Sequence, residues 1–154
     1  MREILFRGKR TDTKEWVEGF YVHFVDSWKN CETHRIYLKS AETDCGDYYP
    51  DWYEVDPETV GQFTGLTDKN GKKIFEGDII KRTFEHIGTQ YAEIGWAEKY
   101  ASFKICPYKD WQYTDIKDCE KVGNIYDNPE YWKKRQSGKV IHDNGKFVAV
   151  EITK

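Results

Sequence analysis

The stretch FTGLTDKNGKKIFEGDIIKR, residues 63–82, carries two turn signals about one strand apart. Asp68-Lys69-Asn70-Gly71 is the first, and its Asn-Gly pair accepts the positive φ angles that a tight hairpin demands. Glu76-Gly77-Asp78 is the second, where Gly77 releases the chain into the next strand. Gly65 belongs to the same punctuation. A glycine-rich run with lysines also invites a phosphate-loop reading, but GLTDKNGKK lacks the G-x-x-x-x-G-K-[ST] order and no helix follows to hold an anion at its N-terminus. Turn geometry accounts for the Asp, Asn and Gly residues without any ligand. Lys69, Lys72, Lys73, Lys81 and Arg82 read as a solvated edge that blocks edge-to-edge pairing.

Outward from this stretch, short strands recur. Residues 2–6 (REILF) and 16–25 (WVEGFYVHFV) are rich in aromatic and branched residues, with the polar turn Thr11-Asp12-Thr13-Lys14 between them. HRIYLK (34–39) is a further strand. From Ala41 to Glu58 the chain holds Glu42, Asp44, Asp47, Asp51, Glu54, Asp56 and Glu58 with no Lys or Arg, interleaved with Tyr48, Tyr49, Trp52 and Tyr53. This reads as a long loop with one short strand; its functional alternative is an acidic surface that docks a basic partner. Asp56-Pro57-Glu58 is a helical turn with Asp as cap and Pro in first position. Val60–Phe63, Ile79–Phe84, Gln90–Trp96, Ser102–Ile105 and Val122–Tyr126 then form a second group of strands. Close spacing and Gly-bearing turns predict a small barrel, and no segment has the length and periodicity of a crossover helix. Asn128-Pro129-Glu130 starts a short helix near 128–135, and a last hairpin pairs 140–142 with 146–153.

Composition bounds the function classes. The 154 residues include six Trp, eleven Tyr and eight Phe, which offset a hydrophobic content of 38%. Lys+Arg 24 against Asp+Glu 27 gives a net charge of −3, without the basic excess of a generic nucleic-acid binder. Nothing at the start resembles a signal peptide and no apolar run reaches membrane-spanning length, so a cytoplasmic protein is expected. Cys31, Cys45, Cys106 and Cys119 form no C-x-x-C pair and read as reduced thiols.

Candidate chemistry is sparse. His23, His34, His86 and His142 stand apart in sequence and outside any nucleophile motif, so they read as surface positions on strands or loops. No catalytic residue, metal or cofactor is expected from these patterns. A further candidate binding surface is aromatic: Trp96, Tyr100, Phe103 and Trp111, within a wider set including Tyr91, Tyr108 and Tyr113. It could line a peptide groove or stack on single-stranded bases, although strand alternation sends about half of such residues into the core.

Three segments together resemble the YopX family of small phage and prophage proteins: REILFRGKRTDTKEWVEG at the start, VGQFTGLTDKNGKKIFEGDIIK in the centre and VGNIYDNPE at 122–130. Gly65, Asp68, Asn70, Gly71, Glu76, Gly77 and Asp78 match the family's central signature, which is a signature of turns. The resemblance implies an N-terminal β subdomain engaged in subunit association, followed by an SH3-like barrel, and it brings no catalytic residues. The expected fold is therefore mostly β: an N-terminal β subdomain (1–58, with the acidic loop 41–58), a barrel subdomain ending in a short helix (59–136), and an extra C-terminal hairpin (137–154). The expected role is that of a phage accessory or regulatory module, non-enzymatic, homo-oligomeric and acting on a protein partner. The alternatives are a small hydrolase-type enzyme or a single-stranded nucleic-acid binder.

Overall fold

The computed structural model describes residues 3–26, 31–38, 51–86, 88–106, 113–131, 138–143 and 146–151. The protein is mostly β, with one short helix and several 3-10 turns. It divides into two compact units, Met1–Gly65 and Leu66–Lys154.

The first unit is an antiparallel sheet. Its strands are β1 (Phe6–Lys9), β2 (Trp16–Asp26), β3 (Cys31–Leu38), β4 (Trp52–Glu54) and β5 (Gly61–Thr67), in the order β4-β3-β2-β1-β5. β1 lies later than the expected 2–6, because the turn over 11–13 sets the register and pairs Lys9 with Trp16 and Phe6 with Gly19. Leu5, just outside the strand, is buried and its carbonyl accepts from the Phe63 amide at 2.8 Å. The turn is locked by Arg10, which donates to both carboxylate oxygens of Asp12 at 2.8 and 2.6 Å and lies over the Tyr53 ring at 3.8 Å. Asp12 is held at about 2 by that hydrogen bond and by the Thr13 amide. The expected turn at Asp56-Pro57-Glu58 is a 3-10 turn, Pro57–Thr59, capped by the Asp56 carboxylate on the Glu58 amide. β4 is the short strand expected within 41–58; residues 41–50 of that stretch lie outside the described residues. Leu5, Ile36, Val55 and Phe63 form the buried apolar set of this unit.

β5 leads through the Asp68–Gly71 turn into β6 (Lys73–Phe75), its other neighbour. In the second unit, β7 (Asp78–Phe84), β8 (Gly88–Ala97), β9 (Ser102–Cys106) and β10 (Glu120–Asn124) make a sheet in the order β10-β7-β8-β9. Ile74, Ile80, Ala92, Ile94, Ile105, Ile116 and Cys119 bury one face of these strands in a continuous core. β9 and β10 stand at the two ends of the hydrogen-bonded order. β10 ends at Asn124 rather than at the expected Tyr126, because the Asn124 side-chain oxygen accepts from the amides of Tyr126 and Asp127 at 2.9 Å each and turns the chain. The expected helix begins at 129–131, and its continuation to 135 lies outside the described residues. β11 (Gly138–Asp143) and β12 (Lys146–Glu151) form the C-terminal hairpin, with Asp143 opposite Lys146.

Candidate functional site

The signature residues build a buried polar junction. Asp68 is 4% exposed, and its carboxylate accepts from the amides of Asn70 at 2.8 Å, Lys72 at 2.9 Å and, across to β10, Lys121 at 2.9 Å. Burial pushes this carboxyl up, but the backbone donors outweigh it and hold it below the usual carboxylate value. Asp78 is fully buried; it accepts from the Phe75 amide at 2.7 Å and pairs with Lys121 Nζ at 2.9 Å. Lys121 Nζ also donates to the Lys73 carbonyl at 3.2 Å. Gly65, Gly71 and Gly77 all take positive φ, at 86°, 79° and 77°. Asn70, expected to share that geometry, keeps negative φ, because the turn is the wider one closed by Asp68 and Lys72. Through its backbone, Gly77 donates to Ile94 at 2.7 Å and accepts from Ile125 at 2.9 Å, so the Glu76-Gly77 turn ties β8 to the end of β10. These groups point at one another.

Three side chains of the basic edge are paired locally. Lys69 and Lys81 pair with Glu120 at 2.8 and 3.2 Å, and Arg82 with Asp118 at 3.3 Å. Lys69 and Lys81 hold Glu120 below its ordinary value through those hydrogen bonds. No run of free cations for a phosphate backbone emerges from these residues.

The aromatic candidates are dispersed. Trp96 and Phe103 face each other across β8 and β9 and meet edge to face at 5.1 Å. Phe103 is in the core, whereas Trp96 is 42% exposed at its rim. Tyr100, 72% exposed, stands on the turn between those strands with Lys99 over its ring. Trp111 lies outside the described residues. A depression of 390 Å³ in this unit is lined by Glu93, Ile125, Tyr126 and Pro129, and so offers one carboxylate among largely apolar walls.

A second surface comes from strand alternation in the first unit. Phe20, Val22 and Phe24 project from one face of β2, at 50%, 39% and 52% exposure. Register places Tyr37 opposite Phe20, and Trp52 beside Tyr37, so Trp52 (44% exposed) extends the same face. Arg35 lies opposite Val22 and covers the Trp52 ring at 4.0 Å. The other face of the ribbon is different in kind. His23 pairs directly with His34, their rings stack at 4.5 Å and 5°, and His23 Nε2 reaches Glu32 Oε2 at 3.3 Å. Tyr21 Oη meets His34 Nδ1 at 2.6 Å. Sequence reading left these histidines apart; pairing of the two strands, each legible alone, is the signal that joins them.

The YopX protein family model matches residues 5–133. The chain belongs to the YopX family. No curated protein matches it. Among solved structures it is similar to protein EF1440 from Enterococcus faecalis, at 24% identity and a TM-score of 0.53, covering 84% of this chain and 98% of that one. That likeness concerns the fold alone. The YopX match runs through all three segments that carry the resemblance in sequence.

Proposed function

We propose that this YopX-family chain is a non-enzymatic, phage- or prophage-encoded accessory protein that works in the bacterial cytoplasm by binding a protein partner. The observation that carries this reading is the outer face of β2, β3 and β4, where Phe20, Val22, Phe24 and Trp52 stay 39–52% exposed side by side. Scattered exposed apolar residues need no explanation, but a contiguous set on one rigid face favours protein association. One occupant of this face is a second copy of the chain, since flat antiparallel ribbons can stack like faces about a two-fold axis. That agrees with the subunit association implied for the N-terminal subdomain by the family resemblance. A protein partner is favoured over nucleic acid because the net charge is −3 and Lys69, Lys81 and Arg82 of the basic edge are paired with Glu120 and Asp118.

The test is an affinity capture from phage-infected cells, run in parallel with wild type and a Phe20→Ser/Phe24→Ser variant. A host or phage protein retained by the wild type and lost by the variant supports the reading. Salt-sensitive retention of single-stranded DNA or RNA in its place would overturn it.

A further inference from the structure

We propose that His23, Glu32 and His34 form a binding site for one divalent transition-metal cation of the zinc class, on the face of the β2–β3 ribbon opposite the aromatic one. The inference starts from register. His23 and His34 are direct cross-strand partners, and Glu32 is opposite Val25, one step along the same face and diagonal to His23. Three donor side chains on two hydrogen-bonded strands have their backbone positions fixed before any ion arrives. One ligand atom of each residue, a ring nitrogen or a carboxylate oxygen, already lies within 4.8 Å of the others. A tetrahedral site with bonds of about 2.0–2.1 Å needs donor separations of about 3.3 Å. Because a bound ion lies in the plane of each imidazole, His23 must also turn out of its stack on His34. His23 and Glu32, with side chains 43% and 64% exposed, have the room to rotate.

Tyr21 completes the arrangement. Its hydroxyl occupies His34 Nδ1 at 2.6 Å, which leaves Nε2 as the nitrogen open to a cation. Cation binding selects the tautomer in which Nδ1–H donates to the Tyr21 oxygen, the outer-shell pattern that orients metal-bound imidazoles. The donor set names the metal class. Two imidazoles with one carboxylate suit zinc and its neighbours in the first transition row, whereas calcium and magnesium call for oxygen ligands throughout. Three protein donors leave a coordination position for water or for a group from a bound partner.

The experiment is titration of the tag-free full-length chain with zinc ions alone by calorimetry, paired with visible spectroscopy of the cobalt-substituted protein. One ion per chain is expected, with a rise in melting temperature that grows with free metal. Cobalt should give the weak bands of nitrogen and oxygen ligation, with no thiolate charge-transfer band, and Cys31→Ser should leave binding unchanged. Glu32→Gln and His23→Asn should each weaken binding by about tenfold or more, and Tyr21→Phe by about tenfold through the lost partner of His34. Glu32 is on the surface, so Glu32→Gln tests the site even where a histidine variant fails to fold. Absence of saturable uptake would overturn the proposal, showing that the stacked imidazoles and their hydrogen bonds stand without an ion. Uptake unaffected by Glu32→Gln, or a thiolate band, would also overturn it by placing the metal elsewhere.

Discussion

At the scale of single residues, the family signature turns on two buried carboxylates and one lysine. Asp68 and Asp78 are legible as turn residues in the sequence, since Asp68 opens the Asp-Lys-Asn-Gly turn and Asp78 follows Gly77. Lys121 is not, because it lies more than forty residues away and reaches both junctions only once β10 pairs with β7. Lys121→Met would strand the Asp78 carboxylate in the core, and breaking a buried pair costs about 3–5 kcal/mol. Urea unfolding should show that loss, and a double variant with Asp78→Asn should lose less than the sum of the single variants. Asp68 gives a pH-dependent signature. Its folded value is depressed, so its contribution is fully present above the unfolded carboxylate value and fades as pH falls through the folded one. Asp68→Asn should therefore destabilise the protein at about pH 7, and the gap from wild type should narrow at about pH 3. A gap that stays constant across that range would assign the role to shape rather than charge.

At the scale of elements, the turns were the most readable features and the pairings the least. Asn-Gly and Glu-Gly-Asp mark their turns by backbone geometry, which is a local property. The two glycines nevertheless differ in surroundings that no local rule reports. Gly71 has open space where a Cβ would stand, whereas a Cβ on Gly77 would lie 3.3 Å from the Tyr126 ring. Both take positive φ, so alanine at either costs about 1–2 kcal/mol for the left-handed conformation. Gly77→Ala should be the worse of the two in thermal unfolding, and Gly71→Asn should recover much of the Gly71→Ala loss because Asn tolerates that region. The end of β10 falls short of its expected place for a similar reason: Val122–Tyr126 is a good strand by composition, but the Asn124 side chain captures two amides beyond it. The histidine pair belongs to this scale as well. Each strand was legible, yet a cross-strand register is a relation between segments, and sequence spacing alone does not fix it.

At the scale of the whole molecule, the mostly-β class follows from short alternating strands, while the partition of surfaces does not. Alternation says that β2 has two faces; it does not say which one the rest of the unit covers. The structure answers with Ile36, fully buried on the side of Tyr21 and His34, and with Phe20, Val22 and Phe24 left half-exposed on the other. The two faces should therefore respond oppositely to substitution. Ile36→Ala removes a buried side chain and should cost about 2–5 kcal/mol of folding stability. Phe20→Ser/Phe24→Ser removes side chains that fold with half their surface in water, so its unfolding midpoint should shift far less. If that face is where copies of the chain meet, the same double variant should lower the mass measured by light scattering to that of one chain, whereas wild type scatters as an oligomer. A wild type that scatters as a single chain at every concentration would leave the aromatic face to a partner of another sequence. A double variant that unfolds as readily as Ile36→Ala would show instead that Phe20 and Phe24 serve the fold, and the case for an interaction face would be lost.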